Sequence, residues 1–200
     1  MNKIWGSAED NDLRSEILVR EPSVLEEVDN RIYFYAEIDR ENILQLNKSL
    51  REKSNLNIAT AIQQESINPV PIYLHILSYG GNIFTGLAAM DEILKSKVDI
   101  YTIVDGCCAS AATFLSVVGK KRFIKEHAFM LIHQLTGFMW GKYSEMTDSM
   151  QNFDHIMKTI KTVYKRFTKV PEEQLDGILD HDIWWDAETC LKYGLVDEII

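Results

Sequence analysis

The sequence predicts a single α/β domain in which parallel strands alternate with helices. From about residue 70 onward, short apolar runs of strand length are each followed by a turn and then by a segment with helical spacing of its apolar residues. Such an alternation is typical of α/β proteins with a parallel sheet. A length of 200 residues, with 46% apolar and 26% charged residues, is that of one ordinary globular domain.

The first 27 residues differ from the rest of the chain. They are polar and acidic, and we expect a flexible arm with room for one short helix. The domain itself, residues 28–200, begins with a strand at Arg31-Ile32-Tyr33-Phe34-Tyr35. Asp39 can then cap a helix that carries Ile43, Leu44, Leu46 and Leu50. Residues 51–68 are polar and bounded by Pro69, and we interpret them as a partly helical connection.

The elements that follow Val70 are predicted from their apolar spacing. They are, in order, a strand at 72–77, a helix at 83–94, a strand at 98–104, a helix at 110–118 and a strand at 128–133. The buried face of the first of these helices is predicted to carry Ile83, Leu87, Met90 and Leu94. Asp105-Gly106 is predicted to be a turn.

A long helix is predicted at about residues 144–167. Its apolar residues recur at alternating spacings of four and three, from Met146 and Met150 to Tyr164 and Phe167. This spacing is that of a seam that packs on another helix. Packing against the domain's own core explains the pattern equally well.

Charge and cysteine usage restrict the class of protein. A net charge of -9 disfavours nucleic acid, whose phosphates need a basic surface. Three cysteines, two of them adjacent, form neither a disulfide framework nor a zinc motif. The first residues lack the apolar centre of a signal peptide, and no apolar run has the roughly 20 residues of a membrane span. We therefore expect a cytoplasmic protein without a structural zinc site.

Three residues in distinctive settings could form a catalytic site. Ser110 follows Gly106-Cys107-Cys108-Ala109 and opens a helix, His133 ends an apolar run, and Asp182 precedes Ile183-Trp184-Trp185. A serine hydroxyl is a poor nucleophile unless a base activates it, and a carboxylate commonly orients that base. The order Ser, His, Asp differs from that of α/β-hydrolases, chymotrypsin-like enzymes and subtilisin-like enzymes. A lone serine at a helix start is more often only a helix cap.

These residues resemble the proteolytic subunit of the ATP-dependent Clp protease. The matching segments are Ile72-Tyr73-Leu74, Ser78-Tyr79-Gly80-Gly81, Gly106 to Ala111, Met130 to Gln134, and Asp182 through Asp197. The resemblance implies a crotonase/ClpP-like superhelix of strand–helix units with a long handle helix. It also implies a serine endopeptidase that needs no metal or organic cofactor. Its subunits would form a tetradecamer of two stacked heptameric rings. A partner ATPase of the Clp family would use ATP to unfold polypeptides and feed them to the rings.

The resemblance also assigns roles to residues. Ser110 would be the nucleophile, His133 the general base and Asp182 the carboxylate that orients it. The backbone N–H groups of Gly81 and Ala111 would form the oxyanion hole. The remaining residues would bind substrate as an added β-strand: Gly80, Gln134, Leu135, Thr136 and Gly137.

The chain departs from the family pattern at several positions. Tyr79 stands where proline is usual, Ala111 where methionine is usual, and His75 at an aromatic position associated with docking of the ATPase. The 51–68 connection is longer than usual, and the acidic arm lacks the usual short apolar start. These departures are compatible with a divergent member from a phage or plasmid.

Other functions stay open at the level of sequence. A phage head-maturation protease of the same fold is one. A non-catalytic or regulatory ring subunit is another, although such subunits lose members of the triad. A crotonase-type acyl-CoA enzyme would share the fold and an oxyanion hole. A Ser–Lys peptidase would need a lysine base, and Lys120 and Lys121 are expected at the surface.

Overall fold

A computed structural model describes residues 24–200 of the chain. Most of the predicted acidic arm, residues 1–27, therefore lies outside the described residues. The last residues of that arm form a strand: β1, Val24–Val28, pairs antiparallel with β2, Arg31–Tyr35. A two-residue turn after Val28 brings this polar segment into backbone pairing with an apolar strand, and the polar composition alone did not indicate that pairing.

The remaining strands form a parallel sheet with β2, as the alternation predicted. They are β3 Ile72–Ser78, β4 Ile100–Ala109, β5 Lys121–Ile124, β6 Phe129–Leu131 and β7 Glu198–Ile199. The sheet order is β1-β2-β3-β4-β5-β7, and β6 pairs with β4 off this path. Buried aliphatic residues fill the space between the sheet and the helices.

Six α-helices occur in residues 24–200. They are α1 Arg40–Gln63, α2 Ile83–Leu94, α3 Thr113–Val117, α4 Tyr143–Phe167, α5 Glu172–Leu179 and α6 Ala187–Lys192. None of them combines the length with the apolar composition that crossing a membrane requires.

The polar connection at 51–68 is mostly a continuation of helix α1. Asp39 caps α1 as predicted, accepting from the Asn42 N–H at 2.8 Å. The helix then extends to Gln63, and two of its buried polar side chains bind the loops beside the sheet. Lys53 donates to the Asp29 carbonyl at 2.7 Å, and Asn57 donates to the Val70 carbonyl at 2.8 Å.

The predicted turn at Asp105-Gly106 is wrong, because both residues belong to β4. Strand β4 changes partner at this point: residues 101–104 pair with β5, and residues 107–109 pair with β6. The Asp105 carboxylate is also satisfied inside the protein, since Tyr35, His75 and Lys125 all contact it. These contacts stabilise the charged Asp105 within a strand, although its residue type is typical of a turn.

The predicted buried face of α2 is displaced. Gly86, Ala89 and Ile93 are buried, whereas Leu94 is 42% exposed. The small residues face inward because α2 lies close to Ala111, and a Cβ on Gly86 would be 3.1 Å from the Ala111 Cβ. Ile83, Leu87 and Met90 are only partly buried.

The two halves of the predicted apolar seam on helix α4 have different surroundings. Ile160 and Tyr164, in the second half, are buried in the domain's own core. Met146 and Met150, in the first half, are exposed by 40% and 53%. The loop before the helix exposes Phe138 and Trp140. The seam therefore serves the core at one end and leaves an apolar surface at the other.

Candidate active site

The candidate site lies where three neighbouring parallel strands end. In β3 and β4, Ser78 pairs with Cys108, and in β4 and β6, Ala109 pairs with Leu131. The residues that follow these strands are Gly80-Gly81, Ser110 and His133. Because the carboxyl ends of parallel strands share one edge of the sheet, these residues come together there.

The backbone of Ser110 has an unusual conformation. Its φ of 54° is in the left-handed region, and a single 3-10 turn, Ser110–Ala112, separates β4 from α3. This region costs a non-glycine residue about 1–3 kcal/mol and is typical of functional turns. The turn is held by Thr113, whose hydroxyl donates to the Ser110 carbonyl at 2.6 Å. The predicted continuous helix from Ser110 to Val118 therefore begins with this 3-10 turn.

Gly80 and Gly81 lie against this turn, and both positions need glycine. Their φ angles are 101° and 145°. A Cβ on Gly80 would be 2.7 Å from both the Ala109 carbonyl oxygen and the Ser110 Cβ, and one on Gly81 would be 2.5 Å from the Ile38 carbonyl oxygen. The backbone approaches this closely only without a side chain.

Gly81 and Ala111, which belong to these two segments, both line a cavity next to Ser110. A bridge to Ile38 uses the Gly80 carbonyl and the Asn82 N–H, so it leaves out the N–H of Gly81. Ala111 is the second residue of the 3-10 turn, a position whose N–H has no acceptor within its own helix. Such groups can stabilise a negatively charged oxygen.

His133 and Asp182 are neighbours. Asp182 is placed by a bridge in which Trp185 and Met130 exchange backbone hydrogen bonds of 2.7 and 2.9 Å. The Asp182 Oδ1 lies 3.0 Å from the His133 Nδ1, within ion-pair distance, although the buried Nδ1 makes no hydrogen bond. The Asp182 side chain is 75% exposed.

A cavity of about 200 Å³ joins the predicted site residues. It is lined by polar and backbone groups from the strand ends and by an apolar floor: Gly81, Asn82, Ile83, Ser110, Ala111, Phe114, His133, Gln134, Leu135, Thr136, Ile160 and Tyr164. Of the predicted substrate residues, Gly80 lies behind the Ser110 turn, and Gly137 lies against the Phe153 ring. Asp182 reaches the site only through His133.

The competing carboxylates have other roles. Asp186 caps α6, accepting from the Thr189 N–H at 2.9 Å. Hydrogen bonds from Thr189 also lower the pKa of the Asp186 carboxyl. Asp180 is exposed at the end of α5. Within residues 24–200, neither carboxylate forms a hydrogen bond or an ion pair with His133.

Sequence reasoning missed a buried polar cluster at His75. Its Nδ1 lies 2.9 Å from Asp105, its Nε2 lies 2.7 Å from Arg31, and its ring stacks on Tyr33 at 4.4 Å. Burial alone would raise the pKa of Asp105, but hydrogen bonds from His75, Tyr35 and Lys125 outweigh it and lower the pKa to about 2. No short motif marks the cluster, since its members come from three strands, β2, β3 and β4, and from the residue after β5.

Comparison with known proteins bears on this arrangement. Residues 26–200 match the Clp protease family. The ATP-dependent Clp protease proteolytic subunit 1 of Mycobacterium leprae is 29% identical over 158 residues, which is 78% of each chain. The ATP-dependent Clp protease proteolytic subunit of Porphyromonas gingivalis is 31% identical over 152 residues, covering 74% of this chain and 68% of the relative.

A solved structure has the same fold. A ClpP1 variant from Listeria monocytogenes superposes with a TM-score of 0.73 at 24% identity, covering 86% of this chain and 91% of the other. This similarity confirms the predicted crotonase/ClpP-like fold class. Together with the sequence match over residues 26–200, it shows that the chain belongs to the Clp protease family.

Proposed function

We propose that this protein is the proteolytic subunit of an ATP-dependent Clp protease and acts as a serine endopeptidase on unfolded polypeptides. One observation carries the proposal: Ser110, His133 and the Gly81 and Ala111 backbone line one cavity, and Asp182 lies 3.0 Å from His133. The names of the relatives support the same activity.

In the proposed reaction, Ser110 forms a covalent acyl-enzyme. Its Oγ attacks the scissile carbonyl carbon while His133 accepts the hydroxyl proton, and His133 then donates that proton to the leaving amine. Water repeats these steps on the ester and releases the second peptide. Asp182 stabilises the imidazolium that forms in each half-reaction. The His133–Asp182 geometry must tighten for this, as catalytic hydrogen bonds commonly do when substrate binds.

The tetrahedral intermediate carries a negative oxygen that needs hydrogen-bond donors. The Gly81 and Ala111 N–H groups border the cavity at the nucleophile and would supply them. Because both donors belong to the backbone, the replacement of methionine by Ala111 leaves this role unchanged.

The segment from Gln134 to Gly137, together with Gly80, is proposed to bind substrate as an added strand. The Gln134 N–H already donates to the Leu179 carbonyl at 2.8 Å, and the Leu135 N–H contacts the Met157 sulfur at 3.1 Å. These bonds fix the segment. Pairing with substrate is therefore assigned to its carbonyl groups and to the main chain of Thr136 and Gly137. Main-chain pairing tolerates many substrate sequences.

We further propose that the subunits assemble as two stacked heptameric rings in the cytoplasm and receive substrates from a Clp-family ATPase. The exposed apolar surface of Met146 and Met150, together with Phe138 and Trp140, supports an intersubunit role for this end of α4. The peptidase reaction itself would need no cofactor, because ATP is consumed by the partner.

A second candidate is a ring subunit whose triad is inactive. The His133 Nδ1 without a hydrogen bond and the 75% exposed Asp182 favour it. The test is labelling by a fluorophosphonate, which acylates activated serines, combined with native mass. A large assembly labelled at Ser110, with Ser110→Ala unlabelled, supports the peptidase. A ring that stays unlabelled and cleaves no peptide with the ATPase present supports the inactive subunit.

A further inference from the structure

A buried chain of hydroxyl groups connects helix α4 with the nucleophile turn. The Thr113 Oγ1 lies 2.6 Å from the Ser110 carbonyl oxygen and 2.7 Å from the Tyr164 hydroxyl oxygen. A carbonyl oxygen can only accept a hydrogen bond, so the Thr113 hydroxyl must donate its one proton to the Ser110 carbonyl. The direction of the other bond follows: Tyr164 donates to Thr113, which donates to Ser110.

This arrangement differs from the ordinary hydrogen bonds of threonines in helices. Thr147, Thr159 and Thr162 each donate to the carbonyl four residues earlier, and these bonds are exposed. Thr113 is fully buried and has a second hydroxyl behind it, and its acceptor is the carbonyl of a residue in the left-handed region. Burial raises the pKa of Tyr164, which keeps its hydroxyl protonated as a donor.

The peptide unit between Ser110 and Ala111 links the hydroxyl chain to the candidate oxyanion hole. This unit is planar and trans, so its carbonyl and its N–H point in opposite directions. Fixing the Ser110 carbonyl through the hydrogen bond from Thr113 therefore also fixes the direction of the Ala111 N–H. A carbonyl that accepts a hydrogen bond also makes the N–H of the same peptide unit a better donor, because hydrogen bonds in a chain polarise one another.

We propose that Tyr164 and Thr113 are positioning residues that hold the Ser110 turn and aim the Ala111 N–H at the oxyanion. The inference rests on the proposed function, because it assigns a task within that reaction. Neither residue touches the reacting atoms through its hydroxyl. Their effect belongs to the transition state, where the negative oxygen exists, and not to substrate binding.

The test compares variants that remove one hydroxyl each. Tyr164→Phe keeps the ring, which packs on Phe114 at 5.8 Å between centroids, and should therefore fold. Tyr164→Phe and Thr113→Val should each lower kcat for a short peptide, and the rate of fluorophosphonate acylation, by about tenfold with KM within twofold. Thr113→Ser keeps the donor and should recover most of the rate. The double variant should be no slower than Thr113→Val, because the two hydroxyls act in series.

A matched control separates positioning from stability. Thr102 is also fully buried and donates to the Ser116 carbonyl at 2.7 Å, at the other end of the same short helix. Thr102→Val should lower Tm by as much as Thr113→Val while leaving kcat within twofold. A Tyr164→Phe enzyme with wild-type kcat would overturn the inference, as would an equal loss of kcat in Thr102→Val.

The acylation assay distinguishes failure of the proposed function from failure of this inference. If wild type and Ser110→Ala both resist acylation and neither cleaves peptide with the ATPase present, the proposed function is overturned and this inference with it. If wild type is acylated and Tyr164→Phe is acylated at the same rate, only the inference is overturned.

Discussion

Ala109 in β4 lies directly opposite Leu131 in the neighbouring parallel strand β6. Each strand ends just before a candidate catalytic residue, so Ser110 and His133 leave the sheet side by side although the chain separates them by 23 positions. The pairing exists because β4 exchanges β5 for β6 at Asp105 and Gly106. The branch in the sheet is therefore what brings the base to the nucleophile.

Gly80 is the position at which the smallest substitution should do the most harm to the site. A Cβ there would meet the Ala109 carbonyl oxygen and the Ser110 Cβ at 2.7 Å, and φ is 101°. Gly80→Ala must displace the nucleophile turn, so we expect loss of fluorophosphonate labelling and a free energy of unfolding lower by about 2 kcal/mol or more. Urea denaturation and labelling measure the two effects.

Gly177 in α5 provides the matched control. A Cβ there meets nothing within 4 Å. Alanine is favoured over glycine inside a helix by about 1 kcal/mol, so Gly177→Ala should stabilise the protein and label at the wild-type rate. Normal labelling of Gly80→Ala would contradict the described contact between the two turns.

Local patterns in the sequence were sufficient for much of the fold. Asp39 indicated the start of α1 because the capping residue and the apolar residues of the helix lie close together in the sequence. The strands at 72–77 and 128–133 were predicted because buried strands are continuous apolar runs. The strand before Ser110 was predicted only as far as residue 104. The family motifs selected Asp182 among three nearby aspartates, which spacing alone would not have done.

The errors arose where tertiary contacts decide the outcome. Asp105-Gly106 is typical of a turn in the sequence. The Asp105 carboxylate is tolerated inside a strand because it contacts three partners, from β2, from β3 and from the residue after β5. The buried face of α2 depends on how closely that helix approaches Ala111. The hydroxyl chain from Tyr164 joins residues 51 positions apart, and neither residue type signals the other.

The pairing of Asp182 with His133 should depend on salt. The Asp182 carboxylate is 75% exposed, so mobile ions screen its interaction with an imidazolium. We expect the rate of fluorophosphonate acylation to fall by about two- to fivefold between 0.05 and 0.5 M salt. The measurement is the acylation rate at constant pH and constant assembly mass.

Asp182→Asn is the control for this effect. The variant should be slower than wild type at low salt and nearly independent of salt, because the screened charge is gone. An equal salt dependence in Asp182→Asn would show that the effect arises elsewhere, for example in assembly.

The Asp105 cluster should make stability depend on pH in the acid range. The pKa of this carboxyl is about 2 in the folded protein, below its ordinary value of 3.8. A lowered pKa means that the contribution is complete above about pH 4 and is lost as the pH falls towards 2. The side chain is only 3% exposed, and the loss should be about 1–2 kcal/mol.

Urea denaturation at pH 5 and at pH 2.5 tests this difference in wild type and in Asp105→Asn. The variant should be less stable at pH 5 and should lose less stability on acidification than wild type. Parallel curves for the two proteins would rule out Asp105 as the source.

The exposed half of the α4 seam should govern how subunits associate. Met146 and Met150 lie four residues apart on one face, and burying both in an interface would remove apolar surface from water. Met146→Lys/Met150→Lys places two charges there, so we expect the proposed double ring to separate, with its dissociation constant raised at least tenfold. Thr147→Lys/Gln151→Lys adds the same charge to exposed neighbouring positions and should leave the assembly mass unchanged.

Both pairs of substitutions keep α4 helical, and neither touches the core half of the helix at Ile160 and Tyr164, so the stability of the monomer should be similar in the two double variants. Native mass spectrometry across a dilution series gives the comparison, and identical masses for both double variants would place the interface elsewhere.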